Sequence, residues 1–372
     1  MEWNSSEINN NGQTLLIGYY KKSHINFKNN MVCGFDLDHT LIRPKQKNNK
    51  ARVFPDNKDS DDWEFNYDNV KKVLIKLSLT RRIIIYTNQS KISEYVKPWK
   101  TKINNIAKEL DIPFEIYVAT DNDKYRKPLT FGWNEFIKYD KENSFYCGDA
   151  MGRSKDHSCC DLMFAKNLNI PFKTPEYIFQ NEEIKIPAIK YEMAPICINV
   201  PIEVVQCLLN LSTKLNVVIN VGFQGSGKSY FSKMFLTMLK YKIINQDKLR
   251  TFNKCKKEAI KYLDKNKNIV IDNTNITKKV RKEWILLAKK YKADVIILYF
   301  DTDLKICKHN NIFRNIITNG KTKIIPTIAY NITNKNFEIP EKSEGVEIHT
   351  IKPFFMDVDE GNTTLYKQYL LA

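Results

Sequence analysis

The chain has 372 residues, of which 42% are apolar, enough for two globular cores of about 180 residues each. Lys and Arg number 59 against 42 Asp and Glu, giving a formal charge of +17. This surplus has two readings: a polyanionic partner, nucleic acid first, or a composition in which Lys and Asn are scattered along the whole chain. The eight cysteines show no C-x-x-C pair and no His at zinc spacing, the start (MEWNSSEINNNGQ) lacks a basic-then-apolar signal, and the longest apolar runs are strand-sized. The expectation is a soluble intracellular protein, nuclear or cytoplasmic, with reduced thiols, no zinc, no disulfide framework and no membrane contact.

Residues 1–30 are expected to be an N-terminal extension. The run 31–37 (MVCGFDL) then reads as a strand, followed by helical stretches at 68–79 and 91–110 and strands at 82–87 (RIIIYT) and 116–119 (IYVA). Strand and helix alternating at this spacing predict a mainly parallel sheet covered by helices on both faces, over a first domain at 31–182. Asp36 and Asp38 are separated by one residue, so an extended strand end points both carboxylates to one side. One can attack phosphorus while its partly protonated neighbour gives a proton to the leaving oxygen, and Mg²⁺ would relieve their repulsion. Thr87 ends the next apolar run with a hydroxyl, Lys127 offers a cation in YRKP, and Asp149 follows FYCG as a further carboxylate at a strand end.

Residues 181–200 carry no clear period, and with Pro187, Pro195 and Pro201 nearby they suit a linker, placed at 183–212. The strand rhythm restarts at 216–221 (NVVINV), 241–246, 268–272 and 294–300, giving a second α/β domain at 213–372. Gly222-Phe223-Gln224-Gly225-Ser226-Gly227-Lys228-Ser229 fits the P-loop pattern: backbone N–H groups cradle phosphates, Lys228 reaches the β and γ positions, and the Ser229 hydroxyl holds Mg²⁺. ATP binding is therefore expected at Gly222, Gly225, Ser226, Gly227, Lys228 and Ser229. The next strand leads to Asp247, placed to accept a proton from an attacking hydroxyl, with Arg250 about one helical turn on, either holding an acceptor phosphate or simply solvated. Asp272 in NIVIDNTN is a candidate for the metal shell, and Arg314 in HNNIFR a lid cation over the phosphates.

Two groups of motifs carry a resemblance. GFDLDHTLI, VFP with DW after it, YTNQ, VAT, YRKP, GDAMGR and CCDLMFAKNLNIPFKTPEYIF resemble the haloacid dehalogenase superfamily, and within it the phosphatase half of the eukaryotic bifunctional polynucleotide kinase 3′-phosphatases. VGFQGSGKS, IDNTN, KHNNIFR and IIPTIAYNITNKNFEIP resemble the kinase half of the same family. The resemblance implies Asp36 as nucleophile, Asp38 as general acid/base, Thr87, Asn88 and Lys127 as phosphate binders, and Mg²⁺ held by Asp36, Asp149 and the Asp38 backbone. At His39 the sequence departs from the glycine usual in that family, which bears on access of the DNA end. With about 30 residues before the first motif, the phospho-peptide-binding domain of the animal enzymes is expected to be missing.

Other residues receive plain readings. His24, His157 and His349 have no visible ligand partners, and His309 belongs to the lid motif as a structural residue. Trp133 in FGWNEF is the one tryptophan taken as a candidate for base stacking, and the Lys-rich stretch 254–267 reads as a solvated helix face. The expected protein is a monomer that binds ATP and DNA ends, removing 3′-phosphates and phosphorylating 5′-hydroxyls in strand-break repair. Three alternatives stay open: RNA end repair, a DNA-end-binding kinase with an inactive phosphatase, and a nucleotide or sugar kinase fused to an unrelated phosphatase.

Overall fold

Glu2–Trp3 (β1), Leu15–Tyr20 (β2), Val32–Phe35 (β3), Ile42–Arg43 (β4), Glu64–Phe65 (β5), Arg82–Asn88 (β6), Phe114–Ala119 (β7), Phe145–Cys147 (β8) and Phe172–Lys173 (β9) are the strands of the first half. They belong to a computed structural model that describes residues 1–4, 15–45, 54–89, 92–188, 215–352 and 360–371. Seven of these strands form one sheet in the order β1-β2-β7-β6-β3-β8-β9, with β3, β6, β7, β8 and β9 mutually parallel. Their β-branched and aromatic runs are buried on both faces, as a parallel sheet requires. Helices Val70–Ser78 and Val96–Leu110 bury Leu74, Trp99, Ile103 and Ile106 against Cys33, Phe35, Ile83 and Ile85. The alternate residues Val32, Ile84 and Tyr86 meet Trp133, Phe164 and Leu168 in a second cluster.

Two expectations are corrected here. Residues 1–30 are not merely an extension: β2 pairs antiparallel with β7 from Leu15–Ala119 to Tyr20–Phe114, and β1 adds to β2. The run LLIGYY is apolar enough to cover the otherwise bare edge of β7. Trp133 is fully buried among Tyr86, Tyr146 and Phe164, so it belongs to the core and offers no face to a base.

Asn216–Val221 (β10), Lys242–Ile244 (β11), Ile269–Ile271 (β12), Asp294–Phe300 (β13) and Glu347–Ile351 (β14) form an all-parallel sheet in the order β11-β12-β10-β13-β14. Helices Phe252–Leu263 and Lys278–Lys290 pack Cys255, Ala259, Trp284 and Ala288 onto one core, and Phe231, Leu236 and Tyr241 close another. Lysines of Phe252–Leu263 face solvent around the buried stripe Cys255, Ala259, Leu263. The chain divides into two compact units, Met1–Glu192 with Gln368–Ala372, and Met193–Lys367. Most of the expected linker 183–212 lies outside the described residues. Among the described residues, no helix is long and apolar enough to cross a membrane, and Cys33, Cys147, Cys159, Cys160, Cys255 and Cys307 are free thiols.

In each sheet the strand order reverses around one central strand. From β3 the chain builds to β6 and β7 on one side and β8 and β9 on the other; from β10 it builds to β11 and β12, then to β13 and β14. Such switch points open a crevice at strand carboxyl ends, where α/β sheets bind ligands. Asp36 follows β3, and the P-loop follows β10.

Candidate active sites

The first crevice gathers residues from five segments. Lys127, on the loop after β7, places Nζ 2.6 Å from Asp36 Oδ1, 2.7 Å from Asp161 Oδ1 and 2.8 Å from the Tyr146 hydroxyl. Its peptide bond to Pro128 is cis. Asn88, expected to bind phosphate, instead uses both ends of its amide to hold the Lys127 backbone: Nδ2 donates to the carbonyl at 3.0 Å, and Oδ1 accepts from the N–H at 2.9 Å. Thr87 is buried at the end of β6, and Gln89 Nε2 donates both to its hydroxyl (3.1 Å) and to Asp38 Oδ2 (2.7 Å). Thr40 donates to Asp149 Oδ1 at 3.3 Å. The turn between Asp36 and Ile42 is closed by N–H groups of Leu41 and Ile42 on the Leu37 carbonyl, and within it His39 takes φ = 57°, a left-handed conformation that favours glycine.

Asp36, Asp149 and Asp161 bring one carboxylate oxygen each within 4.8 Å of one another. Asp161 was not anticipated. It lies in the first turn of the helix Cys160–Leu168, accepts from the Ala150 N–H at 3.0 Å, and approaches so closely that a Cβ on Gly148 would lie 2.4 Å from its carboxylate. Burial, followed by the charges of Asp161 and Asp36, lifts Asp149 to about 8. Burial lifts Asp161 to about 6 although Lys127 pulls it down, and it raises Asp36 against the same cation. Asp38 is also raised by burial, opposed first by the Gln89 hydrogen bond. Burial works against the Lys127 charge, but Asp161 and Asp36 more than offset it and hold the ammonium well above the usual lysine range. Three carboxylates around one ammonium leave an excess of negative charge, and all the free donors are hard oxygens, a set that fits Mg²⁺.

The second crevice is a cleft of ≈ 630 Å³ whose walls include the P-loop from Gln224 to Ser229, Asp247, Arg250, Asp272 and Arg314. Gly225 has φ = 80°, and a Cβ there would lie 2.3 Å from the Cys307 carbonyl, so the loop can be threaded here only by glycine. Lys228 Nζ donates to the carbonyls of Gly222 (2.9 Å) and Phe223 (2.5 Å), and burial lowers its pKa to about 8. Asp272 is held by Asn220 at 3.2 Å and Asn245 at 3.1 Å; Asp247 and Arg250 are exposed on the mouth, with Arg250 at φ = 74°.

The helix Leu304–Ile317 carries HNNIFR, and its four polar residues each have a place. His309 Nε2 donates to the Tyr366 carbonyl at 3.0 Å, and burial lowers its pKa to about 4, as the structural reading expects. Asn310 donates to the Gly225 carbonyl at 2.9 Å, bracing the P-loop, and Asn311 forms two bonds of 3.1 Å with the Ile325 backbone. Arg314 reaches the cleft with a buried Nε that has no hydrogen-bond partner among the described residues.

Comparison with known proteins matches residues 31–179 to the family described as Polynucleotide kinase 3 phosphatase, and residues 250–324 to an AAA domain. A bifunctional polynucleotide phosphatase/kinase of Schizosaccharomyces pombe is 36% identical over 335 residues, covering 86% of this chain and 78% of that protein. The chain belongs to the bifunctional polynucleotide phosphatase/kinase family. A protein of Acanthamoeba polyphaga mimivirus, named for the same pair of activities, is 32% identical over 376 residues, covering 87% of this chain and 85% of its own. The polynucleotide 3′-phosphatase of Saccharomyces cerevisiae is 31% identical over 212 residues, covering 40% of this chain and 87% of its own. Asp161, Gln89 and Asn310 are the site residues that sequence reasoning missed in this family member.

Proposed function

We infer that the protein hydrolyses 3′-phosphates at one crevice and transfers the γ-phosphate of ATP to 5′-hydroxyl ends at the other. The observation that carries this reading is a single match over 86% of the chain with one relative named for both activities. In the first unit, Asp36 attacks phosphorus, with Lys127 at 2.6 Å favouring its ionised form. Asp38, whose pKa burial raises and whose carboxylate accepts from Gln89, gives its proton to the departing O3′. It then takes a proton from the water that releases phosphate from Asp36. The charge balance around Asp36, with its neighbours still in place, supports an active phosphatase despite His39.

In the second unit, Asp247 accepts the proton of the 5′-hydroxyl, Lys228 and Arg314 meet the charge on the transferring group, and Arg250 holds a phosphate of the acceptor strand. Asp36, Asp149, Asp161 and the Asp38 carbonyl would hold Mg²⁺ in the first unit, and Ser229 with Asp272 in the second. Bound there, Mg²⁺ supplies charge neutralisation on phosphate oxygens. The reading extends to DNA ends as the substrate, in strand-break repair by a monomer in the nucleus or cytoplasm. A nicked duplex carrying a 3′-phosphate and a 5′-hydroxyl tests it. Release of phosphate from one end and ATP-dependent labelling of the other are expected, faster than on the matching RNA. Activity only on nucleosides or sugars overturns it.

A further inference from the structure

The turn that follows Asp36 carries His39, the first of three rings that neither step uses. His39 and Phe54 meet edge-on with centroids 5.0 Å apart, and Phe54 meets His157 edge-on at 5.5 Å. Phe54 is 43% exposed, although it is a large apolar side chain. The backbone around each ring is tied down. His39 donates its N–H to the Ile42 carbonyl at 2.7 Å, and its own carbonyl accepts from Asn66 Nδ2, so the backbone from which its ring projects is held on both sides. The Phe54 segment is fastened two residues on, where buried Lys102 donates to the Asp56 carbonyl at 2.6 Å and Asp62 accepts the Asp56 N–H at 2.8 Å. The loop of His157 is tied down by Arg153, which bonds Asp156 at 2.9 Å, Glu176 at 2.8 Å and the Asp149 carbonyl at 2.9 Å.

We propose that His39, Phe54 and His157 form a stacking rim for the terminal nucleobase of the strand whose 3′-phosphate lies at Asp36. This rests on the phosphatase reading above. A left-handed histidine is costly where glycine would be free, and the ring it adds lies next in sequence to the residue proposed to protonate O3′. The group bonded to that oxygen is a nucleoside, whose base has a π-face whatever its identity. Stacking a base on an aromatic side chain is worth about tenfold or more in affinity. His39 is thus a specificity residue that works through the base and not the phosphate.

The test compares two oligonucleotide 3′-phosphates, one ending in 2-aminopurine and one in an abasic sugar, on the full chain and on His39→Gly and Phe54→Ala. The unmodified protein is expected to prefer the base-bearing end about tenfold in kcat/KM and to quench its fluorescence on binding. Either variant should shrink that preference to near unity and weaken the quench. Glycine suits the left-handed turn and Phe54 is exposed, so both variants are expected to fold. Equal use of the two ends by the unmodified protein, or a preference that survives both variants, overturns the rim. Release from neither end would instead overturn the phosphatase reading.

Discussion

Lys127 Nζ lies 2.7 Å from Asp161 Oδ1, and each side chain is 1% exposed. The same ammonium is 2.6 Å from Asp36, so the cation is shared between the proposed nucleophile and a carboxylate in the first turn of a helix. Asp36→Asn should abolish 3′-phosphate release and leave 5′ phosphorylation near normal. Asp161→Asn should lower release ~10²-fold or more and cost ~3 kcal/mol of stability, because a buried charge loses its partner. Phosphate release and Tm measured together check this; full release by Asp36→Asn would remove it from the nucleophile role.

Mg²⁺ should stabilise the protein more at pH 8 than at pH 6. Asp149 is lifted to about 8 from an unfolded value near ~3.9, so between those values the folded protein binds a proton that the unfolded chain releases. Stability in chelator therefore falls as pH rises through this window. A divalent cation takes the proton's place at the upper end and must compete with it at the lower. Thermal unfolding with EDTA and with Mg²⁺ at both pH values gives the comparison, and equal shifts would contradict it.

In the kinase unit, Asp247→Asn should reduce kcat by ~10²–10⁴ with little change in ATP affinity, since the proton moves only during transfer. Arg314→Ala should also act mainly on kcat, by ~10³ or more. Arg250→Ala should raise KM for the oligonucleotide and leave ATP unaffected. Steady-state kinetics with each substrate varied in turn separates the three; weak ATP binding with normal kcat would take Asp247 out of the base role.

If the +17 charge tracks a phosphate backbone, oligonucleotide affinity should fall steeply with salt, with a log–log slope of about −0.7 per phosphate contacted on a single strand. Fluorescence anisotropy across a salt series measures it. A flat response would return the surplus to composition alone.

The parts of both sites that lie at strand ends were legible in the sequence, because a polar residue closing a β-branched run is visible as a break in pattern. Asp36, Thr87 and Asp149 are of this kind, and the P-loop declares itself by its glycines. Asp161, buried at a helix start, looks like an ordinary first-turn acid until the sheet brings it to Lys127. Asn88 is given to phosphate by its place beside Thr87, and because Lys127 is distant in sequence only the fold shows the side-chain amide bonded to that backbone. Trp133 misled because aromatic residues look alike in sequence whether they line a core or a cleft. LLIGYY was overlooked for its polar flanks, although its six residues have strand length and composition.

The antiparallel pairing of Leu15–Tyr20 with Phe114–Ala119 bears on how the phosphatase can be dissected. A fragment beginning at Met31 would keep every residue proposed for its chemistry and still bare the outer N–H and C=O groups of an apolar strand. Such an edge recruits a second chain, so the fragment would be lost to self-association, and N-terminal deletions would mimic catalytic defects while leaving the reaction centre untouched.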